Sequence, residues 1–140
     1  MQVYECRETE LEQSMTRDME LIRTLLLWAD GEPRLDGTPG KFLIFENSAE
    51  VGALGHSKEE VAYHLRLLVE AGFLIGKFHP TTGLPVISRM TWNGHEFLDD
   101  IKDTGVWEST KARIAGLPGV AIAVIAEIAK AEIKKKLGLP

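Results

Sequence analysis

The residues whose types suit a chemical role lie mainly between Ser57 and Trp92. The basic residues of this segment are Lys58, Arg66, Lys77 and Arg89, and its acids are Glu59, Glu60 and Glu70. No acid stands from Ala71 to Trp92. Arginine side chains bind guanine edges or phosphates, and lysine and tyrosine side chains bind phosphates. The segment is therefore the first candidate for a nucleic-acid contact.

A helix is expected directly after Ser57. The run Ser57-Lys58-Glu59-Glu60 has the spacing of a capping box, in which a hydroxyl and a later carboxylate satisfy the first N–H groups of a helix. An apolar stripe at helical spacing follows, made of Val61, Leu65, Leu68 and Val69. Gly72 ends this pattern, which predicts a helix over 58–71.

The opposite face of this helix carries Glu59, Tyr63, Arg66 and Glu70. Three interpretations of the face are open: a DNA-reading surface, a solvated surface of mixed charge, or a protein-binding surface. The two glutamates oppose the phosphate field, whereas Arg66 suits a guanine edge. His64 is expected to be a packed or hydrogen-bonded residue rather than a catalytic base.

Two alternating apolar runs, 73–79 and 84–90, flank the turn at 80–83 and predict a β-hairpin. Pro85 suggests that the second strand is an edge strand near the turn. The hairpin offers Lys77, His79 and Arg89 to phosphates. The complete set of expected DNA contacts is Lys58, Tyr63, Arg66, Lys77, His79 and Arg89.

The remaining elements define the architecture. A helix over 16–30 with Thr16 as its N-cap, a strand over 42–45 and a brief helix over 47–55 are expected before residue 57. Helices are expected over 92–102, 106–115 and 120–137 after the hairpin. This order is that of a winged helix-turn-helix. The expected fold class is α+β, mainly helical, with a β-hairpin wing and extra C-terminal helices.

The amino-acid sequences of several segments resemble those of a known family. These segments are Met15-Thr16-Arg17-Asp18-Met19-Glu20-Leu21-Ile22-Arg23, Tyr63-His64-Leu65-Arg66-Leu67-Leu68, Glu70-Ala71-Gly72, Thr91-Trp92-Asn93-Gly94-His95-Glu96-Phe97-Leu98-Asp99 and Val106-Trp107. Over about 15–137 the chain resembles domain of unknown function 2513, a family of small bacterial proteins often carried on phages or prophages. The resemblance implies a winged-helix-like fold and a regulatory role, and it supplies no catalytic residues. The expected domains are a polar extension over 1–14, a winged-helix domain over 15–104 and C-terminal helices over 105–140.

No catalytic or cofactor motif stands in the sequence. His95, Glu96 and Asp99 echo a zinc-protease helix, but no third ligand is identifiable. No serine sits in a G-x-S-x-G turn, and neither a P-loop nor a G-x-G-x-x-G is present. We therefore expect no enzyme, no cofactor and no metal. Trp28, Trp92 and Trp107 lie in apolar-periodic segments and are expected to pack in the core or in an interface rather than to stack on bases.

The composition and the C-terminal sequence pattern limit which classes of partner are expected. The 140 residues carry a net charge of −5, so a strongly basic nucleic-acid footprint is absent from the chain as a whole. The seven-residue apolar run 120–126 is too short for a membrane span, which needs about 20 residues. A single cysteine favours the reducing cytoplasm. The last helix is expected to be apolar on all sides, which predicts a homodimer through 120–137.

These observations favour a cytoplasmic, dimeric regulator of phage or bacterial type that binds double-stranded DNA. The alternative is a non-enzymatic interaction module that uses the same scaffold to bind a host or phage protein.

Overall fold

The computed structural model describes residues 16–38, 43–44, 55–117 and 119–140. The helices in this part of the chain are α1 Met19–Gly31, α2 Lys58–Glu70, α3 Trp92–Ile101, α4 Thr104–Ile114 and α5 Ile122–Lys136. The strands are β1 Leu43–Ile44, β2 Leu74–Phe78 and β3 Pro85–Met90. This content confirms the α+β, mainly helical class. The expected extension over 1–14 and nearly all of the expected helix over 47–55 lie outside the described residues.

The chain divides into two compact units. One ends at Thr91 and the other spans Trp92–Pro140. The second unit thus includes α3, whereas the sequence interpretation assigned residues up to 104 to the first domain.

The first helix begins later than expected. Asp18, not Thr16, is the N-cap of α1, because its side chain accepts from the backbone N–H groups of Glu20 and Leu21. A carboxylate at this position also interacts favourably with the positive end of the helix. The buried side of α1 consists of Leu21, Ile22, Leu25, Leu26 and Ala29. Burial of each large side chain on this face stabilises the fold by about 1.5–3 kcal/mol.

The ends of α2 follow the predicted signals. Ser57 Oγ accepts from the Glu60 N–H, and the Glu60 carboxylate accepts from the Ser57 N–H, which completes the capping box. At the other end Gly72 has a φ of +80°, which a glycine adopts without strain. The Phe73 N–H then donates to the Leu68 carbonyl at 2.9 Å. This termination turns the chain directly into β2.

The sheet has the strand order β1-β3-β2, and both pairings are antiparallel. β3 thus lies between the other two strands and is not an edge strand where β1 pairs with it, at Val86 and Ile87. Pro85 is tolerated because it is the first residue of β3, where it pairs with Phe78 of β2. The hairpin register shifts between Ile75 and Gly76.

The second unit packs α5 against α3 and α4. Its buried side chains include Phe97, Leu98, Ile101, Val106, Trp107 and Ile125. The only fully buried residues of α5 are Ile125 and Ala129. Its outward face carries Glu127, Lys130 and Lys134, all exposed. The expectation that α5 is apolar on all sides is therefore wrong beyond its first turns, because these three charges fall on one face.

None of the described helices is both long enough and apolar enough to cross a bilayer.

Candidate nucleic-acid interface

Arg66 is held at the junction between α2 and the hairpin. Its guanidinium carbon lies 3.9 Å from the centre of the Phe78 ring, in a cation–π stack. The Arg66 side chain nevertheless stays exposed, and Phe78 is half-buried. A guanidinium that stacks on a ring through its flat face keeps the N–H groups at its edge available to an acceptor.

The rest of the outward face of α2 is of mixed charge. Lys58, Glu59 and Glu70 are exposed, as the helical spacing predicts. Tyr63 is half-buried and makes an edge-on ring contact with His64, with centroids 5.5 Å apart. Lys58 and Arg66 thus share this face with two carboxylates, and Arg66 is the cation nearest to the hairpin.

His64 joins α2 to the start of α1. The buried ring accepts the Asp18 backbone N–H on Nε2 at 2.8 Å, and its Nδ1 lies 2.7 Å from the Glu60 carbonyl. Since a carbonyl only accepts, these contacts assign the proton to Nδ1. The expectation of a hydrogen-bonded helix residue is confirmed.

His56 makes a second link at the same end of α2. Its Nδ1 lies 3.1 Å from a Glu60 carboxylate oxygen, and its Nε2 lies 3.9 Å from Asp18 Oδ2. The hydrogen bond from His56 is the main reason that the pKa of Glu60 lies below its ordinary value, and the Ser57 N–H contributes further. Burial acts in the opposite direction. The N-terminus of α2 is thereby fixed to that of α1.

Lys77 and Arg66 belong to opposite faces of the hairpin. Successive residues of a strand point to opposite sides, and Phe78 points towards Arg66, so Lys77 points away. Arg89 lies opposite Ile75 in the register, and Ile75 shares the side of Lys77. We call Ile75, Lys77 and Arg89 the outer face of the hairpin. The structure does not join Arg66, Lys77 and Arg89 into one strip.

Two of the expected phosphate contacts also have local structural roles. The guanidinium of Arg89 donates from Nη1 to the Met90 carbonyl at 3.2 Å, and a Cβ placed on Gly37 would lie 3.2 Å from Arg89 Cδ. His79 Nδ1 accepts the backbone N–H groups of Thr81 and Thr82, each at 3.2 Å. The imidazole of His79 therefore caps the hairpin turn, which leaves Nε2 for an external contact.

Phe78 is the functional candidate that sequence reasoning missed. Its aromatic side chain stands between Lys77 and His79, which was the available signal. The partner of Phe78 lies twelve residues earlier, on another element, and only the packing of α2 against β2 identifies it.

The remaining candidates are the possible metal ligands and the three tryptophans. Within the described part of the chain, no three His, Cys, Asp or Glu side chains are arranged to hold a metal ion. Trp107 is buried, as expected, and Trp28 is half-buried. Trp92 does not pack in the core, since 77% of this residue is exposed at the first position of α3, and its packing in an interface stays a prediction.

Comparison with known proteins identifies a family and a relative. The family model described as "Hypothetical protein (DUF2513)" matches residues 16–121. An uncharacterized protein of Haemophilus influenzae is 33% identical over 102 residues, which cover 71% of this chain and 79% of that protein. No solved structure matches the chain significantly. The chain therefore belongs to the domain of unknown function 2513 (DUF2513) family.

Proposed function

We propose that the chain is a winged-helix protein that binds double-stranded DNA and regulates transcription in a bacterium or phage. In this proposal α2 enters the major groove and the β2–β3 hairpin is the wing. The observation that carries the proposal is the exposed guanidinium of Arg66 stacked on Phe78, where α2 meets the hairpin.

The order of the elements supports a winged helix. The capped helix α2 is followed at once by an antiparallel hairpin, and β1 adds to the far side of β3. The hydrogen bond between His64 and Asp18 fixes α2 against α1. A helix held at its N-terminus and beside the hairpin has a defined orientation, which base readout requires.

The stack with Phe78 makes Arg66 the strongest candidate for a base contact. A surface arginine loses side-chain entropy when it binds, and an aromatic ring that already holds the guanidinium reduces that loss. The edge N–H groups then match the two acceptors of a guanine in the major groove. Lys58, Tyr63 and His79 are assigned to phosphates, while Lys77 and Arg89, on the outer face of the hairpin, are expected to contribute less.

Arg66→Ala and Phe78→Leu test the proposal together. Fluorescence anisotropy with mixed duplex fragments at low salt should give a Kd for the wild type of about 10⁻⁴–10⁻⁶ M or tighter. On a selected site, Arg66→Ala should cost about 1–3 kcal/mol. Phe78→Leu keeps every charge and should weaken binding less, because it removes only the platform.

Lys111→Ala is the matched control, since it removes one positive charge from an exposed ion pair with Glu108. It should weaken binding much less than Arg66→Ala. A wild-type protein that binds no duplex DNA at low salt would show that the proposal is wrong.

A protein-interaction module is the alternative, and the outer face of the hairpin favours it. Ile75 is 42% exposed there between two cations, a composition that suits an acidic partner with an apolar anchor. If the experiment above detects no DNA binding, the protein-interaction module that uses this surface replaces the DNA-binding proposal.

We also propose a homodimer through residues 120–137. The first turns of α5 expose Ala123 and leave Val124 48% exposed, whereas the charges stand further along the helix. An apolar helix start beside a polar second half suits a small two-fold contact centred on Val124.

A further inference from the structure

The second unit contains a basic cleft, and none of the residues expected to contact DNA lines it. The cleft lies along the C-terminal half of α5 and the end of α4, and its volume is about 420 Å³. Four of its lining residues are basic, and we call Arg113, Lys130, Lys134 and Lys135 the basic cleft. The only acid in its lining is Glu127.

The acids around the basic cleft are already paired. Arg113 binds Glu132 at 2.7 Å, and the Glu132 side chain is only 11% exposed. Lys130 lies 3.8 Å from both Asp100 and Glu127. Within the described residues, Lys134 and Lys135 take part in no ion pair. Two exposed lysines that line the cleft therefore have no counter-charge among the described residues.

Lys135 extends this charge to a neighbouring cleft of about 410 Å³. That cleft also includes Gly105 and Ser109 of α4 and Lys136 of α5, and its one acid is Glu132, which pairs with Arg113. Lys136 is neutralised by Asp103 at 2.8 Å, so Lys135 is the unpaired cation that both clefts share.

Lysines in a last helical turn also complement the helix dipole. That role is satisfied by solvated side chains in any orientation. The dipole does not involve Arg113 and Lys130, which their ion pairs hold at the same cleft, so the charge that is left for a ligand is that of Lys134 and Lys135.

We propose that the basic cleft binds backbone phosphates of duplex DNA, as a second contact surface in addition to α2. Phosphodiester groups are the fitting ligand because they carry dispersed single charges and need no base-specific geometry. The naming of DNA as the ligand rests on the proposed function. Sequence preference then comes from Arg66, and the basic cleft contributes affinity that depends on salt.

The test is the double variant Lys134→Gln/Lys135→Gln in the full-length chain. Each phosphate contact contributes about 0.9 to the slope of log K against log salt, so the double variant should lower the slope by about two. The loss should be similar for every duplex sequence. Lys102→Gln/Lys111→Gln is the matched control, since it makes the same charge change in the same unit at lysines paired with Asp99 and Glu108. It should leave the slope nearly unchanged, and circular dichroism should show both variants folded.

The outcomes separate the two proposals. If Arg66→Ala weakens binding but the double variant behaves like its control, the basic cleft is not a DNA contact and the proposed function stands. If the double variant alone weakens binding, the basic cleft is supported and the assignment of α2 is wrong. If the wild type binds vesicles of anionic lipid through these lysines and no duplex DNA, both DNA proposals fail.

Discussion

Gly76 shows at residue scale why the hairpin tolerates so little change beside α2. A Cβ at this position would lie 2.8 Å from Ile87 Cδ1, 2.9 Å from the Val86 carbonyl oxygen and 3.3 Å from Val69 Cγ2. Val69 belongs to α2, so the missing side chain permits the helix to approach β2 closely. The position also coincides with the register shift of the hairpin.

Gly76→Ala should therefore destabilise the protein. The carbonyl of Val86 is backbone and cannot move aside alone, so the methyl group must displace α2 or β3. We expect the free energy of unfolding to fall by about 1–3 kcal/mol, the usual range for overpacking. Urea denaturation measures the change. Gly83→Ala is not a neutral reference because Gly83 has a positive φ.

Gly31→Ala is the better control for Gly76→Ala. Gly31 lies at the end of α1 with no atom near the added methyl group and without a positive φ. It should leave stability unchanged or raise it slightly. Equal stabilities of the Gly76 and Gly31 variants would contradict the close approach of α2 to β2.

At element scale, the orientation of α2 depends on its N-terminal hydrogen bonds. Ser57 and Glu60 cap the helix, and His64 and His56 connect it to Asp18. The capping box could be predicted from the sequence because its four residues are contiguous. The connection between His64 and Asp18 could not be predicted, because these residues are 46 positions apart.

Ser57→Ala should lower the free energy of unfolding by about 1 kcal/mol, because the Glu60 N–H loses its acceptor. Ser57→Thr keeps the hydroxyl and is the matched control. Chemical denaturation near neutral pH compares the two variants with the wild type. An unchanged stability of Ser57→Ala would show that the cap makes no net contribution.

Acid should weaken the same end of α2 in the wild type. The folded pKa of Glu60 lies below its unfolded value, so its contribution is fully present above the unfolded pKa. This contribution is lost as the pH falls through the folded pKa. Repeating the unfolding series towards acid pH should therefore show a decline that Glu60→Gln reduces, and an identical decline in that variant would contradict the assignment.

At the scale of the whole molecule, the proposed homodimer covers the exposed start of α5. Val124→Glu places a charge at the centre of the proposed two-fold contact and should convert a dimer into a monomer. Because Val124 is 48% exposed, the substitution should not unfold the chain. Sedimentation at tens of micromolar measures the mass.

Leu117→Glu is the control for this prediction, since Leu117 is 60% exposed but lies outside α5. It should leave the dimer intact. A wild-type protein that sediments as a monomer at these concentrations would contradict the proposed homodimer.

The sequence by itself determined the elements whose signals are local. A capping box, a glycine at a helix end and a turn between two alternating runs act through hydrogen bonds and backbone preferences within a few residues. Accordingly α2 and the hairpin lie where the sequence predicted them. The start of α1 lies a few residues later than predicted because two side chains near it, Thr16 and Asp18, are both of types that cap helices.

Only the tertiary structure decided which faces meet. The stack of Arg66 on Phe78, the separation of Lys77 from Arg66 and the central place of β3 each depend on strand register and on packing between distant segments. A one-residue change of register would move every side chain of a strand to the other face. The sequence therefore determines which residue types are available for binding, and the fold determines which of them share a surface.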